Sequence, residues 1–98
     1  MKFTWFNLMP WPYLPDDFRE KYRSVWVDIP SKLFDPAKSH EVYNTHMDLL
    51  EYAGTLGFDG IGVNEHHQNG YGIMPSPNII AAGLARRTKD VGIVVLGN

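Results

Sequence analysis

Cysteine is absent from this 98-residue chain. That excludes a disulfide framework, a thiol nucleophile and any thiolate metal site. Long apolar runs are missing too, since no stretch approaches the ~18 apolar residues a membrane span requires. The opening Met1-Lys2-Phe3-Thr4 lacks the apolar core and small-residue cleavage site of a secretory signal. The cytoplasm is therefore the expected compartment. Charge of one sign is not in excess: Lys+Arg number 9 against Asp+Glu 11, for a net charge of −2. Nothing in that balance favours nucleic acid or an anionic membrane surface. There is no low-complexity tract and no interdomain linker.

Apolar residues make up 44% of the chain and charged residues 20%, the composition of a globular protein. The length suits one small domain or part of a larger one. A domain of this size buries only about 60–65% of its unfolded surface, so its core is modest.

Lys2 to Met9 is rich in aromatic and branched residues and reads as a first strand, closed by Pro10 and Pro12. Its apolar residues fall on both parities, which suits a strand covered on both faces. Residues 10–38 form a long irregular loop. Trp11, Tyr13, Phe18, Tyr22, Trp26 and Phe34 alternate there with prolines, and Phe18 to Val27 is a candidate short helix. A loop of such length in a compact domain is usually functional. Two roles stay open for its aromatics: lining a pocket for an apolar or planar ligand, or folding the loop onto the body.

Asp35-Pro36 is an N-cap followed by proline at the first helical position. Val42, His46, Leu49, Leu50, Ala53 and Leu56 recur at helical spacing until Gly57 stops the helix. His46 falls on the apolar face and is expected to be packed and hydrogen-bonded, and His40 to be solvated. Phe58 to Asn64 is a second strand. Ser76-Pro77 repeats the cap signature, and Ile79, Ile80, Gly83 and Leu84 are the expected buried stripe of a second helix. Arg86-Arg87-Thr88-Lys89 closes it, with charges that complement the helix dipole. Asp90 turns the chain into Val91 to Leu96, expected to be a doubly buried parallel strand.

This alternation predicts an α/β fold with a parallel sheet. Two helices cannot cover both faces of three parallel strands, and both sheet edges stay open. The chain is thus expected to be a partial domain: either the reading frame continues or partner chains supply the cover. Bared edges and an apolar face self-associate, so a dimer or larger homo-oligomer is expected.

The chemistry concentrates in Phe58-Asp59-Gly60-Ile61-Gly62-Val63-Asn64-Glu65-His66-His67, where an apolar strand surfaces into four polar residues. Strand alternation puts Gly60, Gly62, Asn64 and His66 on one side and Ile61, Val63, Glu65 and His67 on the other. The glycines suit a crowded barrel interior or close approach of a ligand. Glu65 and His67 share a side and can bond to each other. His66 suits general acid/base catalysis. The alternative is a polar network that only holds the loop. Adjacent histidines on a strand diverge, and no HExxH pattern is present, so a metal site is not expected.

Together with Pro75-Ser76-Pro77, Leu84-Ala85-Arg86-Arg87-Thr88 and Val91-Gly92-Ile93-Val94-Val95-Leu96-Gly97-Asn98, this stretch resembles the bacterial luciferase-like, flavin-dependent monooxygenases. The likeness covers most of the chain outside Trp11–Phe34. It implies the N-terminal βαβαβ portion of a (β/α)8 TIM barrel. It also implies reduced flavin (FMN), O2, an organic small-molecule substrate and a separate flavin reductase. His66 would be the catalytic acid/base, supported by Glu65 and His67. Phe6, Met9, Asn64, Gly97 and Asn98 would lie against the flavin. The family's phosphate-binding residues fall in later strands and have no counterpart here. Two alternatives accompany this reading: a deazaflavin-dependent dehydrogenase or reductase of the same superfamily, and a non-catalytic flavin-binding or structural relative.

Overall fold

In the computed structural model, which describes residues 1–98, three strands form one parallel sheet in the order β1-β2-β3. They are β1 (Thr4–Phe6), β2 (Gly60–Asn64) and β3 (Gly92–Leu96). Between them lie helices α1 (Phe18–Lys21), α2 (Pro36–Thr55) and α3 (Pro77–Arg87), with a 3-10 turn at Ser31–Leu33. The expected α/β alternation and parallel pairing are both present.

The register places Trp5, Ile61 and Ile93 in one row across the sheet, and Val63 beside Val95. These side chains pack with Leu50 and Ala53 of α2 and Leu84 of α3 to form the core. Both long helices therefore lie on one face. The other face carries Thr4, Phe6, Gly60, Gly62, Val94 and Leu96, and no helix covers it. A Cβ on Gly60 would meet Thr4 Oγ1 at 2.9 Å, and one on Gly62 would meet Phe6 Cδ2 at 3.0 Å. The glycines are required because their neighbours' side chains lean over them.

This one-sided cover corrects the burial expected for the outer strands. Only β2 is buried throughout, whereas β1 and β3 are partly exposed along their length. Each outer strand has one sheet neighbour and a single covered face. Strand β1 is also shorter than expected. Asn7 Oδ1 accepts the Met9 N–H at 2.7 Å, and Met9 turns at φ 53°, which ends the strand.

Helix α2 starts as its sequence dictates: Asp35 Oδ1 accepts the Ala37 and Lys38 N–H groups at 2.9 and 3.3 Å. Gly57, at φ 91°, ends it. Its buried face is Val42, Leu50 and Ala53, while Leu49 and Leu56 are exposed because nothing packs on that side. In α3, Pro77 opens the helix, but the Ser76 side chain makes no capping bond. Its carbonyl receives the Ile79 and Ile80 N–H groups instead. Ile79 is 71% exposed and drops out of the expected stripe; the inward side of the helix is Pro77, Ile80, Ala81 and Leu84. Arg87 does more than complement a dipole, since its Nη2 lies 2.9 Å from Asp48 and 2.6 Å from Glu51 and ties α3 to α2. The candidate helix from Phe18 ends already at Lys21, where Tyr22 becomes extended. No helix is long and apolar enough to cross a membrane.

His46 links α2 to the end of β1. Its Nδ1 accepts from Asn7 Nδ2 at 3.0 Å and its Nε2 donates to the Pro10 carbonyl at 3.4 Å. This is the packed, hydrogen-bonded histidine expected from the sequence. Burial pushes its pKa below the ordinary value, partly offset by the Pro10 carbonyl. The unfolded chain therefore takes up a proton that the folded chain refuses. Stability is full above the unfolded pKa and falls as pH drops toward the folded one. Between about pH 7.5 and about pH 5.5 the melting temperature should fall more steeply in the wild type than in His46→Gln. Parallel declines in the two proteins would place the acid sensitivity elsewhere.

Candidate functional site

Residues 65–75 follow β2 at the carboxyl end of the sheet, where open α/β sheets bind their ligands. This segment closes on itself through the His66 N–H to the Met74 carbonyl at 2.9 Å. It is then stapled to the first loop: Ile73 N–H to Met9 O at 2.9 Å, Trp11 N–H to Gly70 O at 3.0 Å, and Gly70 N–H to Val25 O at 3.0 Å. The Tyr43 hydroxyl of α2 donates to the Ile73 carbonyl. Burial pushes its phenol above the ordinary range, so it stays protonated as a donor.

These bonds frame a cavity of about 750 Å³. Its walls are Trp11 and Leu14, then Ile29, Leu33 and Phe34 around the 3-10 turn, Ser39 and Tyr43 of α2, and His66, His67 and Ile73 beyond β2. The size lies in the range of small-molecule pockets. The aromatic loop thus does both things its sequence allowed. Trp11 packs against Tyr13 and Phe34 with ring centroids 5.3 Å apart in each case, and it also lines the cavity.

The two histidines differ in their surroundings. The His66 ring meets Tyr71 edge-on at 5.1 Å and Trp26 at 6.2 Å, and those two rings stack at 4.2 Å. Aromatic surfaces hold it rather than a hydrogen-bonding side chain. His67 Nε2 lies 2.6 Å from Glu65 Oε1, the pairing expected from strand alternation. With Nε2 donating to the carboxylate, the lone pair sits on Nδ1.

The remaining candidates separate. Asn64 ends the glycine row, and its buried Oδ1 has no partner. Phe6 stands half-exposed on the helix-free face. Met9 is fully enclosed in the core, so it supports this region from beneath and offers no surface to a ligand. Gly97 turns at φ 72°, and Asn98 accepts from Asn78 Nδ2 at 3.2 Å at the start of α3. None of Phe6, Asn64, Gly97 or Asn98 lines the cavity. The carboxyl end of the sheet therefore holds two surfaces, the helix-free face and the cavity, with His66 following Asn64 and lining the latter. Ser39, Tyr43 and Tyr71 belong here and were not singled out from the sequence. Ser39 and Tyr43 are one turn apart near the start of a helix that begins at this end of the sheet, which was the available signal.

Gly72 sits directly behind His66. A Cβ there would fall 2.7 Å from His66 Cδ2 and 2.8 Å from the Leu8 carbonyl oxygen, and backbone yields little. Gly72→Ala should therefore cost about 1–3 kcal/mol and move the His66 ring-proton resonances away from Trp26 and Tyr71. Unmoved resonances would mean that the ring is not held as described.

No family model matches the chain, no curated protein matches its sequence, and no solved structure matches its fold.

Proposed function

We propose that this chain forms the first three strands of a (β/α)8 barrel of the bacterial luciferase-like type, and that the assembled barrel uses reduced flavin and O2 to oxidise a small organic molecule. The observation that carries this reading is the end of β2. On its helix-free face Gly60 and Gly62, overlain by Thr4 and Phe6, lead to Asn64, whose buried Oδ1 lacks a donor. Such an orphaned acceptor asks for a partner.

On this reading the edge N–H of a flavin ring would meet Asn64, and its aromatic plane would lie against Phe6, the half-exposed side chain that leans over Gly62. The phosphate end has no such fit, because no lysine or arginine lines the neighbouring cavity. The chain also has no glycine-rich phosphate loop. Reduced flavin, when bound, would supply the electrons that O2 takes up. The chain's own part is to hold His66 just beyond Asn64, edge-on against the stacked Trp26 and Tyr71 rings, where its imidazole exchanges a proton with the reacting groups. Glu65 orients His67 beside it. The open edges of β1 and β3, with the half-exposed Phe6 and Leu96, are the surfaces that further strands of a barrel would cover.

In the complete barrel, His66→Ala should lower turnover with reduced flavin about 10²–10⁴-fold with the circular dichroism spectrum unchanged. O2 uptake should match product formed. An unchanged rate would remove His66 from the chemistry, and turnover without O2 uptake would favour the dehydrogenase alternative.

A further inference from the structure

The cavity has a ligand-sized space and an apolar wall that the flavin reading does not use. No lysine or arginine contributes to its wall. Lys38, next in sequence to the wall residue Ser39, is drawn aside over the Tyr13 ring, 4.7 Å from its centroid. The only formally charged wall residue is Asp28. An anionic ligand would therefore lose its hydration there without gaining a countercharge. Trp11, Phe34 and Ile73 offer apolar surface of the kind that takes a planar ring.

Polar side chains on this wall include His66, Gln68, Asn69 and Trp11, whose buried Nε1 has no partner, and one histidine, His67, is oriented by a carboxylate. His67 Nε2 is committed to Glu65 at 2.6 Å, which leaves its Nδ1 without a protein partner and able to accept an O–H or N–H. The Tyr43 hydroxyl is already spent on the Ile73 carbonyl. The backbone adds a sign of function: Asp28 and Gln68, both on the wall, hold positive φ of 59° and 52°. Strained non-glycine backbone of this kind gathers at ligand sites.

We infer that the cavity binds a neutral aromatic hydroxy compound, with its ring between Trp11 and Ile73 and its hydroxyl donating to Nδ1 of the Glu65–His67 pair. The site stands on the cavity geometry alone and holds whether or not a flavin occupies the sheet face.

Calorimetric titration of the flavin-free chain with 2-naphthol, 2-methoxynaphthalene and 2-naphthoate tests it. The naphthol is expected to bind one per chain and to shift the Trp11 indole N–H and His67 ring resonances. The methyl ether cannot donate, and losing that hydrogen bond should weaken binding about tenfold. The carboxylate should bind more weakly than the naphthol. His67→Gln should lower naphthol affinity to the level of the ether and leave ether binding unchanged, a split that a misfolded variant would not give. Equal affinity for all three compounds, preference for the carboxylate, or no saturable naphthol binding would each overturn the assignment.

Discussion

Strand β2 is enclosed on both faces by different means, and the rest of the structure depends on that asymmetry. On one side Ile61 and Val63 are fully buried against Leu50, Ala53 and Leu84, so this face is closed by apolar packing. On the other side the strand presents glycine, and the closure comes from Thr4 and Phe6 of β1 leaning across. A side chain at Gly60 or Gly62 would push β1 away. The hydrophobic driving force anchors the strand from the helix side, while the glycines keep the opposite side thin. A strand held this firmly can carry polar residues at its end in a fixed position, which is the requirement for a site built on a rigid element.

The segment beyond β2 uses that anchor. Its backbone bonds to Met9, Trp11 and Val25, so the long first loop is folded back over the strand end and gives the cavity its wall. The cost of ordering so long a loop is offset by aromatic contacts among Trp11, Tyr13 and Phe34 and between Trp26 and Tyr71. His66 and His67 then enter different environments although they are neighbours. One is gripped by rings and the other is oriented by a carboxylate. In the two proposals, proton handling falls to His66 and ligand binding to His67.

Local chemistry was legible in the sequence. The Asp35 cap, the stop at Gly57, the turn at Asp90 and the Glu65–His67 pair each follow from residues a few positions apart, and each is present. Burial of the outer strands was not legible, because it depends on which faces the helices cover. Ser76 shows the same limit at smaller scale: its sequence matches a cap, yet its carbonyl and Pro77 shape the helix start. Met9, at the end of the expected first strand, was placed against the flavin by the family resemblance. The Asn7 side chain turns it into the core instead. A pocket lined by the loop aromatics was one of two readings the sequence left open, but its other walls were not legible, since contacts such as Trp11 with Gly70 and Tyr43 with Ile73 join residues distant in sequence.

The proposal is that the chain carries the ring-binding part of a flavin site without the phosphate-binding part. The most direct measurement is fluorescence titration of the protein with lumiflavin, which lacks the phosphate, in parallel with FMN, each oxidised and reduced. The account predicts weak binding of the two flavins with similar affinity, because the phosphate meets no partner. Tight, stoichiometric binding of FMN, with lumiflavin left far behind, would contradict it.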